Sequence, residues 1–276
     1  MPTFEREMVE IGDATLEVLV GGHGAPTICL AHNFDVLSER GGLAMSPLSR
    51  VARTIGVNLR SMGQSSTESD QRLLSMEQGV RDLEAVRRKL EIGPWVFVGF
   101  SAGGFIGLRY AIQCPDALLG LVLVGTAASS RVFRDPRSIY CRANPNYARV
   151  QAATGTQQWS EIVWPLISHD PDLVALHARH AAGISERRQA AQLVEMRAYD
   201  FENELTRIAV PTLVIHGRDD ASMPIAHGEF IASKVPGARL EIFERSGHFP
   251  FWEQEADFER VVREFARTLE RPASQR

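Results

Sequence analysis

Gly99-Phe100-Ser101-Ala102-Gly103 is a Gly-x-Ser-x-Gly pentapeptide, a pattern with chemical content when a strand runs into it and a helix leaves it. The glycines permit a turn too tight for a Cβ. That turn lifts the serine hydroxyl above a sheet edge, at a helix N-terminus. A serine hydroxyl is a weak nucleophile at neutral pH and needs an adjacent base. His248, within Ser246-Gly247-His248-Phe249-Pro250, is the candidate, because it lies on a loop between the last strand-like run and the terminal helix. An imidazole base in turn needs a carboxylate to hold its tautomer and stabilise its cation. Asp219 and Asp220 both follow the apolar run at 212–216. Only one of them can point at His248, and the residues alone leave the choice open.

The other histidines offer less. His216 closes an apolar run and reads as a core residue. His177 and His180 could share a helix face, but no third ligand accompanies them, so no metal is expected. His23, His169 and His227 belong to no motif.

These residues have to be positioned by a sheet. Continuous apolar runs at 27–31, 54–59, 95–100, 120–124, 212–216 and 239–243 are what strands covered on both faces look like. Two further runs, 4–11 and 15–20, flank Gly12-Asp13 and read as a hairpin. Helical segments alternate with the runs. Ser75-Met76-Glu77-Gln78 has the form of a capping box and predicts a helix to about Glu91. Residues 103–113 predict another, stopped by Cys114-Pro115. Phe258, Val261, Val262, Phe265 and Leu269 form one apolar stripe at helical spacing. Such alternation predicts a mostly parallel sheet with helices on both faces. Between 128 and 208 the strand runs stop and Ala-rich helical segments replace them, at 173–182 and 186–198. That stretch is expected to be a helical cap, inserted into a core made of residues 1–127 and 209–276.

Composition excludes several alternatives. With 276 residues, 44% hydrophobic and 23% charged, the chain has ordinary globular values rather than disordered or fibrous ones. A net charge of −4 with no basic block makes nucleic acid and anionic membrane poor partners. Cys29, Cys114 and Cys141 are an odd set without paired spacing, which suits a reducing compartment. The charged N-terminus lacks the apolar run of a secretory signal, and the apolar stretch 118–124 is too short to span a bilayer. The expectation is a cytoplasmic protein acting on a small molecule.

Together the Gly-x-Ser-x-Gly turn, the order Ser, Asp, His and the strand pattern resemble the α/β-hydrolase fold, in its capped bacterial esterase, lactonase and iminopeptidase-like branch. The resemblance covers nearly the whole chain except the cap. It implies an eight-stranded, mostly parallel sheet. The family's acid turn has the form Gly-x-x-Asp-x-x-x-Pro, which Gly217, Asp220 and Pro224 fit, so the resemblance implies Asp220 as the acid. Residues 57–65 are similar to the family's Asp-x-Arg-Gly-x-Gly-x-Ser segment, with Asn58 and Ser61 as departures.

The resemblance also implies an oxyanion hole. One backbone N–H comes from Ala102, after the nucleophile. The other comes from Phe34, in a His32-Asn33-Phe34 turn where Asn33 replaces the family's Gly. Enol-lactonases of this family are similar at that point. Phe34 is expected to stand over the nucleophile, and Phe249 is assigned with it to substrate binding, while Phe251 and Trp252 extend the aromatic stripe. The implied activity is hydrolysis of a small carboxylic ester or lactone without metal or organic cofactor. Two alternatives are an iminopeptidase-like amide hydrolase, which residues 138–145 weakly resemble, and a ligand sensor with little turnover. True iminopeptidases carry Trp after the nucleophile, where this chain has Ala102.

Overall fold

The computed structural model of the chain describes residues 3–154, 156, 158–178 and 184–269, with 176–178 described by backbone alone. Eight strands form one sheet: β1 (Glu5–Ile11), β2 (Ala14–Gly21), β3 (Ile28–Ala31), β4 (Thr54–Asn58), β5 (Trp95–Phe100), β6 (Leu118–Val124), β7 (Thr212–Gly217) and β8 (Arg239–Phe243). Their order is β1-β2-β4-β3-β5-β6-β7-β8. The β1–β2 hairpin and the β2–β4 pair are antiparallel, and all other pairs are parallel. Gly12, at φ 72°, makes the hairpin turn.

The helices are α1 (Met45–Ser49), α2 (Met76–Lys89), α3 (Ala102–Gln113), α4 (Tyr147–Ala153), α5 (Trp159–Ile167), α6 (Pro171–Ala178), α7 (Glu186–Ala198), α8 (Ala226–Lys234), α9 (Pro250–Glu253) and α10 (Glu255–Leu269). The capping box of α2 is half made. Ser75 Oγ accepts from Gln78 N at 3.1 Å, but the Gln78 amide donates forward along the helix to the buried Asp82 instead of reaching back. Along β5, Trp95 and Phe97 pack into the core under α2 and α3. Val96, Val98 and Phe100 pack into the core under α1 and α10. That alternation is why the run is apolar without interruption: both faces of the strand are covered. The stripe of α10 from Phe258 to Leu269 is buried against the second of these cores.

The chain leaves β3 outward to β4 and then crosses back to β5 on the other side of β3. The carboxyl ends of β3 and β5 therefore part where the winding reverses, and open sheets place ligands in that crevice. Among the described residues no strand lies between β6 and β7. Four helices, α4 to α7, occupy that stretch over the same end of the sheet, and Ala128 O accepts from Phe201 N where it begins and ends. No helix among the described residues is long and apolar enough to cross a membrane.

The two departures in segment 57–65 have local causes. Asn58 Nδ2 donates to the buried Glu17 carboxylate at 2.8 Å and to Leu37 O at 2.8 Å, while its Oδ1 accepts from Leu37 N. An Asp at 58 would set two buried carboxylates against each other. Ser61 takes φ 60°, the left-handed conformation a Gly would fill.

Candidate active site

Ser101 sits between β5 and α3 at φ 48°, ψ −118°, a conformation that costs a non-glycine residue about 1–3 kcal/mol. The surroundings hold it there. Ser101 N donates to Val124 O at 2.8 Å and Thr126 Oγ1 donates to Ser101 O at 2.7 Å. Both motif glycines are forced by contact. A Cβ on Gly99 would lie 2.6 Å from Gly103 O, and one on Gly103 would lie 2.6 Å from Ala31 O.

The hydroxyl meets the expected base. Ser101 Oγ donates to His248 Nε2 at 3.0 Å, and His248 Nδ1 donates to Asp220 Oδ2 at 2.7 Å. The other oxygen of Asp220 accepts from Ser222 N and Met223 N, each at 2.8 Å, which fixes the carboxylate plane. Asp219 points the other way, to His169 Nε2 at 2.9 Å in the open. Gly125, at φ 52°, runs beside the pair so closely that a Cβ there would be 3.2 Å from both Asp220 Oδ2 and His248 Nδ1.

His216 is the core histidine its position suggests. It is fully buried, donates from Nε2 to Met223 O at 2.6 Å, and lies 3.6 Å from Asp220 Oδ2. Burial holds its pKa below the ordinary histidine value, so it braces the acid turn as a neutral ring. Of the pair considered for a metal, His180 and the side chain of His177 lie outside the described residues. Among the described residues no three metal-ligating side chains come together.

The oxyanion turn departs from expectation in one respect. Ala102 is the first residue of α3, and its N–H is one of the orphan donors of a helix start. Phe34 N–H, by contrast, donates to Nδ1 of His32 at 3.1 Å, and Asp35 N–H to the same nitrogen at 2.9 Å. The His32 ring folds back under its own turn and engages both donors. Phe34 is half-buried, with its ring edge-on to His32. Phe249 does not form an open wall. It is 8% exposed, stacked on Trp252 and packed against Phe100 and His248. Its place is behind the base.

Several residues that carry no motif shape this site. Asn33, at the position of the family's Gly, donates from Nδ2 to Ala102 O at 3.2 Å and accepts at Oδ1 from Arg188 of α7 at 3.2 Å. Arg188 also donates to Arg60 O at 2.9 Å and is 2% exposed. Among the described residues it pairs with no carboxylate, and burial lowers its pKa to about 10. Glu253 fastens another corner. Its Oε2 accepts from Ser246 Oγ and Gly247 N, and its Oε1 from Ser168 Oγ and His169 N. Ile167 O, at the end of α5, accepts from His248 N at 2.6 Å. Tyr140 is half-buried within electrostatic reach of Asp220 and Asp35, and burial pushes its phenol up to about 12.

With this geometry in view, the chain can be set beside known proteins. A model of the alpha/beta hydrolase fold matches residues 23–255. The AB hydrolase superfamily protein YisY of Bacillus subtilis is 26% identical over 257 residues, 89% of this chain and 92% of that protein. An alpha/beta fold family hydrolase from Bacillus anthracis superposes with a TM-score of 0.88 at 24% identity, covering 97% of this chain and 99% of its own. The enol-lactonase of Burkholderia xenovorans superposes at 0.73 with 23% identity, covering 94% and 99%.

Proposed function

The chain belongs to the alpha/beta hydrolase fold family, and on that premise we propose that it is a serine hydrolase of small carboxylic esters or lactones. The observation that carries the proposal is the hydrogen-bonded line Ser101 Oγ to His248 to Asp220, set on a strained strand-to-helix turn. Similarity in fold to an enol-lactonase is in keeping with it.

In the first half-reaction Ser101 Oγ attacks the substrate carbonyl carbon and its proton passes to His248 Nε2. Asp220, held by Ser222 N and Met223 N, keeps the Nδ1 proton of His248 directed at itself and stabilises the imidazolium. The tetrahedral oxyanion is met by Ala102 N–H. Phe34 N–H is the second donor, released from or shared with His32 Nδ1 when the stronger acceptor arrives. Collapse expels the alkoxide, which takes the proton from His248 and leaves an acyl-serine. Water then attacks the acyl carbon, giving its proton to His248, and the carboxylic acid departs as Ser101 is reprotonated.

The test is direct. A fluorophosphonate should label wild type and not Ser101→Ala, and wild type should turn over p-nitrophenyl acetate continuously while Ser101→Ala does not. Labelling without sustained turnover would mark a sensor in place of an enzyme. Turnover by Ser101→Ala within tenfold of wild type would overturn the assignment of the nucleophile.

A further inference from the structure

Asp35 follows Phe34 in the oxyanion turn and has no part in the steps above. Its side chain keeps 37% of its surface open. Phe34, Ser101 and Tyr140 are likewise half-buried. His248 is within electrostatic reach of Asp35, and Asp35 is within reach of Tyr140. These neighbours put the carboxylate on the nucleophile's side of the turn.

The carboxylate has few polar neighbours. Its nearest polar neighbour is His32 Nδ1, 3.0 Å from Oδ2. That nitrogen also accepts the N–H groups of Phe34 and Asp35, and although burial opposes it, the contact with His32 holds the Asp35 carboxyl below the usual carboxylate range, so Asp35 is ionised. Among the described residues no other N–H or O–H is directed at the Asp35 carboxylate. The other acidic groups of the site differ: Asp220 accepts from Ser222, Met223 and His248, and Glu253 from four donors. An ionised carboxylate with part of its surface open favours a cation brought to it.

Resting on the hydrolase reading above, we propose that Asp35 is a specificity-determining residue and that the site takes esters whose acyl part carries a protonated amine close to the carbonyl. The backbone donor of Phe34 receives the oxyanion, and the neighbouring side chain of Asp35 receives the ammonium as a charge-assisted hydrogen bond. The Phe34 ring, next to it in the turn, offers an aromatic face to the same cation. An acyl group with a carboxylate in that place meets like charge and is disfavoured.

Two measurements test this. The first needs no variant: inhibition of p-nitrophenyl isobutyrate turnover by alaninamide, which is cationic, against isobutyramide, its neutral counterpart of the same shape. Alaninamide should inhibit about tenfold or more tightly at pH 7, and equal inhibition overturns the proposal. The second compares kcat/KM for p-nitrophenyl esters of alanine and isobutyric acid. An ammonium ester is intrinsically more reactive, so the readout is how this ratio changes between proteins. Asp35→Asn should lower the ratio about tenfold or more, and Asp35→Glu should keep it within about threefold of wild type. An unchanged ratio in Asp35→Asn would refute the assignment. If wild type turns over neither the alanine nor the isobutyrate ester, the hydrolase reading falls, and the two amides compared by calorimetry still decide the role of Asp35.

Discussion

Replacing Asp220 by Asn tests the acid turn most sharply, because the structure dictates which way the new amide faces. Oδ1 of Asp220 accepts from Ser222 N and Met223 N at 2.8 Å each, and Oδ2 accepts from His248 Nδ1 at 2.7 Å. An Asn that turned its NH2 toward the two backbone donors would lose both hydrogen bonds and bury donor against donor, at a cost of about 2–6 kcal/mol. It keeps its oxygen there and presents the NH2 to His248 Nδ1. The imidazole must then accept at Nδ1 and carry its proton on Nε2, which faces Ser101 Oγ at 3.0 Å. In that tautomer it cannot take the serine proton. The expected loss is on the order of 10⁴ in kcat, or about 5.4 kcal/mol of transition-state stabilisation. The assay is kcat on p-nitrophenyl acetate, with a melting curve to show the turn intact. Asp219→Asn is the matched control and should stay within a few-fold of wild type, since Asp219 reaches only the exposed His169. A kcat for Asp220→Asn within 100-fold of wild type, or a larger loss for Asp219→Asn, would refute the reasoning.

Three further outcomes are expected. Ser101→Gly should melt above Ser101→Ala, because glycine relieves the φ 48° strain that alanine keeps; equal melting temperatures would mean the strain is negligible. Asp135, hydrogen-bonded by Arg137 and also near His227, has its pKa lowered from 3.8 to about 2. Its folded pKa is depressed, so its contribution is present above pH 4 and lost as pH falls from about 4 to about 2. Asp135→Asn should therefore be less stable at pH 7, by about 1 kcal/mol because Arg137 is exposed, and should lack that part of the acid dependence. Phe34→Ala keeps the backbone donor and removes the half-buried ring, so kcat/KM for p-nitrophenyl octanoate should rise relative to acetate; an unchanged chain-length profile would show that the ring stands clear of the acyl path.

Some of this architecture is legible in residue order, and the reason is periodicity. Runs such as 95–100 are apolar throughout because both sheet faces are covered, and the Gly-x-Ser-x-Gly turn announces its geometry through glycines that contact alone requires. The direction of Asp220 became readable only through the frame of its turn, because two adjacent carboxylates look alike until backbone donors select one. Phe249 is harder to place, because an aromatic beside a histidine looks the same in sequence whether it is open or, as here, stacked on Trp252 and packed against the imidazole. The His32 ring that engages the Phe34 and Asp35 N–H groups, and its contact with the Asp35 carboxylate, depend on a side-chain rotation that no spacing encodes.

The bond from Arg188 to Asn33 bears on how such a protein can be rebuilt. The guanidinium belongs to the segment between β6 and β7, while its two acceptors, Asn33 Oδ1 and Arg60 O, belong to loops after β3 and β4. A segment transplanted from a relative without the arginine would leave the Asn33 oxygen unpaired. This segment moved onto a core with Gly at position 33 would bury a cation with half its acceptors gone. Helix α7 and the turn after β3 are therefore one structural unit despite the separation of 155 residues between Asn33 and Arg188. Recombination at the ends of β6 and β7 would still cut through it.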